Sequence, residues 1–356
     1  MVTIGDVARR VGVSTTTVSR HLAGKRVRDG AAVQAAIEAL DFRASEVARS
    51  LKSGVTRTIG LVVPDVSNPY FAAVAKGVES VSRQFGLNVF LSNTDENVEN
   101  ERDVLQGLLG RVDGVILAPA RELSDNTTEL RRAGVPIVLL DRSLSDRDDL
   151  DSVLVDSSGG AGQAARHLLG LGHQRIGLIS GPLDTTPGRE RHAGFMSALD
   201  EVGLEVDPAL VQMGDFKQDS GYQAGLRLLG LPLPVTAMFA ANNLMAMGAL
   251  RALHDMAVRI PDEVSFIGFD DLELAELLSP PLTVVSRPAV EQGVLAMRLL
   301  RNRIEGKGEG LAQRIVLDTR LTVRGSCRQR SGTSDGTTAT AGLRREAAMT
   351  TTRGDT

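Results

Sequence analysis

The chain opens with the stretch TIGDVARRVGVSTTTVSRHL, which occupies residues 3–22. Thr3 and Asp6 stand three residues apart, which is the spacing of a capping box at the start of a helix. Apolar residues then recur at helical spacing as far as Val11. Gly12 can end the helix, because glycine adopts a positive φ without steric cost. The stretch therefore begins with one short amphipathic helix that has a defined start and stop.

A second helix is predicted directly after this turn. Ser14 can cap it, and Val18 faces inward, so Thr15, Thr16 and Arg20 lie on its outer face. Two short helices joined by a glycine turn, with small polar and Arg side chains on the second, are typical of a helix-turn-helix that reads the DNA major groove. The alternative is a solvated helical hairpin without a ligand.

The distribution of charge favours the DNA-binding interpretation. Residues 1–57 hold ten Lys or Arg against five Asp or Glu, an excess of five positive charges, whereas the whole chain has a net charge of −4. The remaining residues therefore carry a net charge of −9. A basic head on an acidic body is the electrostatic pattern of a DNA-binding head joined to a separate domain.

Composition narrows the class of protein further. The single cysteine, Cys327, permits no intrachain disulfide, and the N-terminus lacks the apolar core of a signal peptide. No apolar run approaches the length of a membrane span. The five histidines show no metal-ligand spacing, and no nucleophile motif is present. We expect a soluble cytoplasmic protein, associated with the nucleoid, that is not an enzyme and has no cofactor or metal.

Two further segments complete the predicted head. Apolar residues from Val33 to Leu40 indicate a third amphipathic helix, which predicts a helix-turn-helix head over residues 1–44. Residues 45–57 are predicted to form a hinge helix and linker, with the helical pattern confined to residues 46–52. Seven residues are too few for a stable isolated helix. Spacing alone therefore leaves two equal alternatives, a helix that folds on a partner or a plain linker.

The remainder of the chain has the pattern of an α/β protein. From Thr58, short β-branched runs alternate with helical stretches in two successive series, which predicts two doubly wound lobes with parallel sheets. The core is expected over residues 58–325, and residues 326–356 are expected to be a disordered tail. The predicted bounds are 58–158 and 287–318 for the N-terminal lobe, and 159–286 and 319–325 for the C-terminal lobe.

Candidate ligand-binding residues are those that directly follow strands, because parallel sheets bind ligands at the carboxyl ends of their strands. These positions are residues 67–71, Asp141-Arg142, residues 182–191, Asp215-Phe216, Asn242-Asn243 and Asp270-Asp271. Their carboxylates, amides, guanidinium and aromatic rings suit a polyhydroxylated ligand lying between two lobes. At each position, turn formation or helix capping is the alternative role.

One competing motif is present. The sequence GAGQAA at residues 160–165 fits the dinucleotide pattern GxGxxA at the start of a helix. However, DSSG at residues 156–159 separates it from the preceding strand, and the next strand lacks a following acidic residue for the ribose. We interpret the glycines as part of a crossover between lobes rather than as a nucleotide site.

Several motifs occur in a specific order along the chain. After TIGDVA at 3–8 and GVSTTTVSR at 12–20 come VARSL at 47–51, IGLVVP at 59–64, NPYF at 68–71, VDG at 112–114, LGH at 171–173, AGF at 193–195, MAMGAL at 245–250 and IGFDD at 267–271. Over residues 2–325 this order resembles the LacI/GalR family of bacterial transcriptional regulators. The resemblance implies a homodimeric repressor that binds a nearly palindromic operator. It also implies a periplasmic-binding-protein-like core that senses a sugar or sugar derivative and controls operator affinity allosterically.

The resemblance also implies roles for particular residues. Thr15, Thr16 and Arg20 match base-reading positions, and Leu51 matches a leucine that enters the minor groove, with Ala48 one turn before it. The full set expected at the DNA is Ser14, Thr15, Thr16, Ser19, Arg20, Ala48, Leu51 and Lys52. The full set expected at the effector is Tyr70, Phe71, Asp141, Arg191, Phe216, Asn242 and Asp270. This match favours the folding-on-DNA alternative for residues 46–52.

The chain departs from the family pattern at three places. Residues 26–32 are about three residues shorter than the usual approach to the third helix, and the usual Tyr-x-Pro is FRA at residues 42–44. Asn243 stands where an Asp is common. A free-standing solute-binding protein or an enzyme with the same two lobes is the alternative class. A secretory signal would favour the first, and a nucleophile or metal set would favour the second.

Overall fold

The computed structural model describes residues 2–22, 24–42, 55–145, 147–271, 273–307 and 310–330. The predicted hinge segment 46–52, which contains Ala48, Leu51 and Lys52, lies outside the described residues, as do residues 331–356 of the predicted tail 326–356. The prediction of a disordered tail was wrong for residues 326–330, because Ser326 is 1% exposed and its hydroxyl donates to the Phe266 carbonyl at 2.6 Å, so the ordered core continues past residue 325. The chain forms two compact units. The first comprises Met1–Gly160, Gly181–Ala193 and Ser286–Arg320; the second comprises Ala161–Ser180, Gly194–Val285 and Leu321–Thr356.

Three short helices form the head, as predicted. They are α1 (Ile4–Val11), α2 (Thr15–Leu22) and α3 (Gly30–Ala39). The capping box is confirmed, since the Thr3 amide donates to the Asp6 carboxylate at 2.9 Å and the Asp6 amide donates to Thr3 Oγ1 at 3.3 Å. Gly12 ends α1 with φ of +76°. The head has its own apolar core, formed by Val7, Ala8, Val18, Val33 and Ala36.

A six-stranded parallel sheet is the centre of the first unit. Its strands are β1 (Thr58–Val63), β2 (Asn88–Asn93), β3 (Gly114–Leu117), β4 (Ile137–Leu140), β5 (Asp151–Val155) and β11 (Arg314–Leu317), in the order β11-β5-β4-β3-β1-β2. The helices lying wholly within this unit's core are α4 (Pro69–Gln84), α5 (Val98–Leu108), α6 (Thr128–Arg132) and α11 (Ala289–Ile304). Strands β1, β3, β4 and β5 are buried along their whole length. This burial explains why β3 and β4 are apolar throughout and why β1 and β5 are apolar beyond their first one or two residues.

The second unit repeats the architecture. Its sheet contains β6 (Ile176–Ser180), β7 (Val211–Met213), β8 (Ala237–Ala240), β9 (Ser265–Phe269), β10 (Thr283–Ser286) and β12 (Arg320–Thr322), in the order β12-β10-β9-β8-β6-β7. The remaining helices are α7 (Ser157–Gly170), α8 (Thr186–Asp200), α9 (Gln218–Leu229), α10 (Asn243–Asp255) and two 3₁₀ turns, Pro208–Leu210 and Glu273–Glu276. Two α/β units with parallel sheets confirm the predicted fold class.

One segment differs from the predicted lobe bounds. Gly181–Ala193 belongs to the first unit, although the sequence placed it in the C-terminal lobe. Hydrogen bonds explain the difference, because the Glu122 amide donates to the Asp184 carbonyl at 2.9 Å and the Ser143 amide donates to Thr186 Oγ1 at 2.8 Å. Arg191 therefore lies in the same unit as Asp141, and not in the second unit with Asp270.

Two glycines allow α4 and α11 to pack closely. A Cβ added to Gly77 would lie 2.1 Å from the Val290 carbonyl oxygen, and one added to Gly293 would lie 2.2 Å from that of Val74. Backbone on both sides of the contact leaves no flexible side chain to move aside. The bare glycine backbones thus set the distance between the two helices.

We expect Gly293→Ala to lower the free energy of unfolding by about 1–3 kcal/mol, because the added methyl group must push two helix backbones apart. Gly107→Ala is the matched control. Gly107 lies on the exposed face of α5 with nothing within 4 Å of an added Cβ, so its replacement should stabilise the protein by about 0.5–1 kcal/mol. Thermal unfolding of both variants tests this, and equal melting temperatures would contradict the close-packing argument.

Candidate functional site

The outer face of α2 presents the predicted base-reading residues. Thr15, Thr16 and Arg20 are exposed, whereas Val18 on the opposite side is fully buried. Ser14 caps the helix by accepting a hydrogen bond from the Thr17 amide at 3.2 Å. The helix is therefore anchored at its start and by its apolar face, and its polar face is open to a partner.

Exposed basic side chains occur before, within and after α2 along the chain. In the described part of the head, the exposed cations are Arg9, Arg10, Arg20, Lys25, Arg26 and Arg28. Such a group of exposed cations attracts a partner with many negative charges, and the phosphates of the DNA backbone are negative charges at regular spacing. Ser19, the remaining predicted DNA residue within the described head, is half-buried.

A buried ion pair lies at the carboxyl end of β4 in the first unit. Asp141 follows the strand with φ of +63°, and its carboxylate pairs with the Arg287 guanidinium. The side chains of the pair are 3% and 4% exposed. Burial alone would raise the pKa of Asp141, but the positive charges of Arg287, Arg191 and Arg142 outweigh it and lower that pKa. Asp141 is therefore held as a carboxylate.

The same guanidinium covers an aromatic ring. The Arg287 guanidinium lies 3.4 Å from the centroid of the Tyr70 ring, within the range of a cation–π interaction. The Tyr70 hydroxyl donates to Gln292 Oε1 at 2.5 Å, and Gln292 Nε2 donates to the Val153 carbonyl at 2.9 Å. Phe71 packs edge-on against Tyr70 at 4.8 Å between centroids. The structure thus brings Tyr70, Phe71 and Asp141 together, as members of the predicted effector set.

A second arginine follows Asp141 directly. Arg142 donates to both oxygens of Glu96, at 2.6 and 2.7 Å, in a buried pair. The Coulombic interaction with Glu96 raises the pKa of Arg142 against the opposing effect of burial. Arg191, on α8, is 1% exposed. The first unit therefore combines several guanidinium groups with buried carboxylates at the ends of its strands.

Sequence reasoning missed four side chains of this polar region. They are Glu96, Arg287, Gln292 and Glu122, whose carboxylate accepts hydrogen bonds from the Thr186 hydroxyl at 2.7 Å and from Arg189 at 2.6 Å. Arg287 directly follows β10, so the rule applied to the other strand ends could have found it. Gln292 lies on α11, and the sequence contains no signal that it meets Tyr70 across 222 residues.

The second unit contains the remaining predicted effector residues. Asn242 Nδ2 donates to the Phe216 carbonyl at 2.9 Å, and Asn242 Oδ1 accepts from the Met245 amide, which caps α10. Phe216 and Asp270 have φ of +67° and +74°, and all three residues are buried. The helix-capping alternative therefore applies to Asn242. Asp270 follows β9 and donates its amide to the Val285 carbonyl at 2.9 Å.

Three observations concern other classes of site. Gly160 and Gly162 lie inside α7, which begins at Ser157 and is capped by Asp156, so they do not form a strand-to-helix phosphate turn. In the described residues, no group of three or more His, Cys, Asp or Glu side chains could hold a metal ion. No helix in the described part of the chain is long and apolar enough to cross a membrane.

Comparison with known proteins identifies the family. Residues 3–45 match the model of bacterial regulatory proteins of the lacI family, and residues 165–327 match a periplasmic binding protein-like domain. The HTH-type transcriptional repressor PurR of Pasteurella multocida is 36% identical over 337 residues, which cover 93% of this chain and 100% of the relative. The chain belongs to the LacI family. This membership confirms the predicted family and its role as a helix-turn-helix transcription regulator.

Further relatives agree over most of their length. The ribose operon repressor of Escherichia coli is 36% identical over 336 residues, covering 92% of this chain and 100% of the relative. A structure of the transcriptional regulator CelR with cellobiose has a TM-score of 0.71 and 34% identity, and covers 92% and 100%. The lac repressor dimer bound to operator and the anti-inducer ONPF has a TM-score of 0.79 and 27% identity, and covers 92% and 99%.

The ion pair predicts how stability depends on pH. A carboxyl group with a lowered pKa stabilises the fold above its ordinary pKa of 3.8, and this contribution is lost as the pH falls through the lowered value. Arg287→Gln removes the Coulombic interaction that does most to lower the pKa of Asp141. We therefore expect this variant to have a lower melting temperature than the wild type at pH 7, and a melting temperature that falls less on acidification, because its Asp141 pKa is no longer held as far below the unfolded value.

Thermal unfolding between pH 3 and pH 7 measures how far the melting temperature of each protein falls on acidification. Asp141→Asn should flatten the acid limb, because the titrating group is gone. Arg83→Gln, which breaks the exposed pair with Glu79, is the control and should follow the wild-type profile. Parallel profiles for Arg287→Gln and wild type would show that Arg287 does not set the pKa of Asp141.

Proposed function

We propose that this protein is a transcriptional repressor that binds a nearly palindromic operator as a homodimer. Binding of a sugar or sugar derivative lowers or raises its affinity for the operator. The observation that supports DNA binding is that helix α2 has an exposed polar face, while its opposite, apolar face is buried in the head. The names of similar proteins support the remainder, since they include repressors, an operator-bound dimer and complexes with cellobiose and ribose.

Base reading is assigned to α2. Arg20 is suited to a bidentate contact with guanine, and Thr15 and Thr16 reach neighbouring bases. Ser14, Ser19 and Lys52 complete the proposed contact set. Leu51, with Ala48 one turn before it, enters the minor groove when residues 46–52 fold on the operator. The assignments of Ala48, Leu51 and Lys52 rest on their sequence positions.

Arg20→Ala should weaken operator binding by about 1–3 kcal/mol and relax base preference at one position of each half-site. Lys52→Ala should instead weaken binding to all sequences similarly and flatten its salt dependence. Arg83→Ala, an exposed Arg outside the head, is the matched control. Titration against operator and unrelated DNA measures the specific-to-nonspecific ratio, and an unchanged ratio in Arg20→Ala would remove the assignment of α2 as recognition helix.

Effector recognition is assigned to the polar groups at the strand ends of each unit. In the first unit these are Tyr70, Phe71, Asp141 and Arg191, and in the second Phe216, Asn242 and Asp270. Arg287 covers both Asp141 and the Tyr70 ring. Breaking a buried ion pair by removal of one partner costs about 3–5 kcal/mol, so we add Arg287 to the set as a donor that stays in place beside the effector.

Control of DNA binding requires two states of the protein. An effector shifts their populations only by the difference between its affinities for the two states. Coupling between effector and operator is typically about 1–3 kcal/mol and must be reciprocal. A panel of ribose, cellobiose, glucose and related sugars, tested by thermal shift, identifies the effector because binding to the native state raises the melting temperature.

Arg191→Ala and Asp270→Ala should abolish the effector response while effector-free operator binding stays within about a few fold, since neither residue lies in the head. The variants would repress permanently if the effector is an inducer and would be inactive if it is a corepressor. Operator titration with and without the identified sugar measures the response, and Arg166→Ala, an exposed Arg paired with Glu201, is the control. An undiminished response in Arg191→Ala would place sensing elsewhere.

The proposal includes neither catalysis nor a cofactor, and it places the protein with its operator in the bacterial cytoplasm, at the nucleoid. The discriminating experiment is direct. The identified sugar, incubated with the protein and then recovered, should be chemically unchanged. Conversion to a product would favour the enzyme alternative on the same two units.

A further inference from the structure

A single carboxylate holds the first described residues of the core. Asp113 lies immediately before β3, and its Oδ1 accepts hydrogen bonds from the Thr56 amide at 2.7 Å and the Thr56 hydroxyl at 2.8 Å. Its Oδ2 accepts from the Arg57 amide at 2.7 Å. Both carboxylate oxygens therefore bind the same short stretch of backbone, which lies 56–57 positions before Asp113 in the sequence. Hydrogen bonds to an ionised acceptor are stronger than neutral ones.

The backbone bound by Asp113 has an unusual conformation. Arg57 has φ of +53°, in the left-handed region that non-glycine residues rarely adopt. The hydrogen bonds on either side support this conformation, since the Asp113 amide donates to the Thr58 carbonyl at 2.7 Å and the Asn88 amide donates to the Arg57 carbonyl at 2.9 Å. A strained backbone conformation persists only where the surrounding contacts hold it in place.

The contact lies where the connection from the DNA-binding head enters the core. Residues 43–54 connect α3 of the DNA-binding head to the core, and residues 55–57 are the first ones after that connection. The contact with Asp113 is therefore made at the point where the connecting segment enters the core. Fixing the backbone there fixes the direction from which the connection must arrive.

We propose that Asp113 is a positioning residue for DNA binding, which sets the spacing between the half-sites that the two heads of a dimer can reach together. The inference rests on the proposed dimeric operator binding and goes beyond base reading and effector sensing. Loss of the contact would allow the connecting segment, residues 43–54, to leave the core in many directions. Two linked heads would then meet the correctly spaced half-sites less often and wrongly spaced ones more often.

The test uses the full-length protein and a duplex operator obtained by in vitro selection with the wild type. Further duplexes carry the same half-sites moved apart or together by one and two base pairs. In Asp113→Asn the amide nitrogen cannot accept a hydrogen bond, so the contact to Arg57 is lost if the nitrogen replaces Oδ2, and both contacts to Thr56 are lost if it replaces Oδ1. Thr56→Val keeps the side-chain shape and removes the hydroxyl, which donates to Asp113 and also accepts a hydrogen bond from the Thr58 amide at 3.2 Å. Asp207→Asn is the control, because Asp207 likewise accepts a backbone N–H, from Ala209 at 2.9 Å, but lies in the second unit.

We expect Asp113→Asn to bind the selected spacing more weakly, by at most about five-fold for each hydrogen bond lost, and to prefer it less over the altered spacings. Thr56→Val should change the preference in the same direction, and Asp207→Asn should leave it at the wild-type value. A purely structural loss lowers the active fraction equally for every duplex and leaves the preference unchanged. The affinity ratio between spacings therefore separates the two explanations.

A wild-type spacing preference in both Asp113→Asn and Thr56→Val would overturn the inference. If Asp113→Asn does not fold, Thr56→Val decides alone. If the wild type itself binds a single half-site as well as the paired ones, the dimeric function fails instead. That outcome is distinct from failure of the role assigned to Asp113.

Discussion

The buried charge of Asp141 is the constraint on which the polar end of the first unit depends. A carboxylate removed from water is unstable unless cations and hydrogen bonds replace the lost hydration. Arg287 pairs with it, and the charges of Arg191 and Arg142 hold its pKa low. Each of these arginines comes from a different element, so one buried charge ties the ends of β4, α8 and the segment before α11 to one place.

This arrangement suits a switch better than an apolar core would. Removing one partner of a buried ion pair costs several kcal/mol, whereas exchanging one hydrogen-bonding partner for another costs far less. A ligand rich in hydroxyl groups can therefore enter such a network by substitution. Under the proposed function, the same polar groups that stabilise the ligand-free protein would distinguish one sugar from another.

The head and the core depend on different kinds of information. The capping box of Thr3 and Asp6, the turn at Gly12 and the face of α2 are all local, and the structure agrees with the sequence at each of them. The same holds for the core strands, whose apolar runs are buried on both faces. Local patterns work here because a helix cap is formed by residues only a few positions apart, and because a parallel strand that is covered on both faces must be apolar along its length, which is visible in the sequence.

The sequence by itself determined the family, the three-helix head, the two parallel α/β series and the strand ends where polar groups collect. Only the tertiary structure decided that Gly181–Ala193 joins the first unit, that Arg287 covers Tyr70 and Asp141, and that Asp113 holds Thr56 and Arg57. These contacts join residues about 40 to 220 positions apart, and their partners are fixed by the packing of whole helices and sheets. Helix and strand periodicity cannot specify such pairs, because it describes only the face on which a side chain lies.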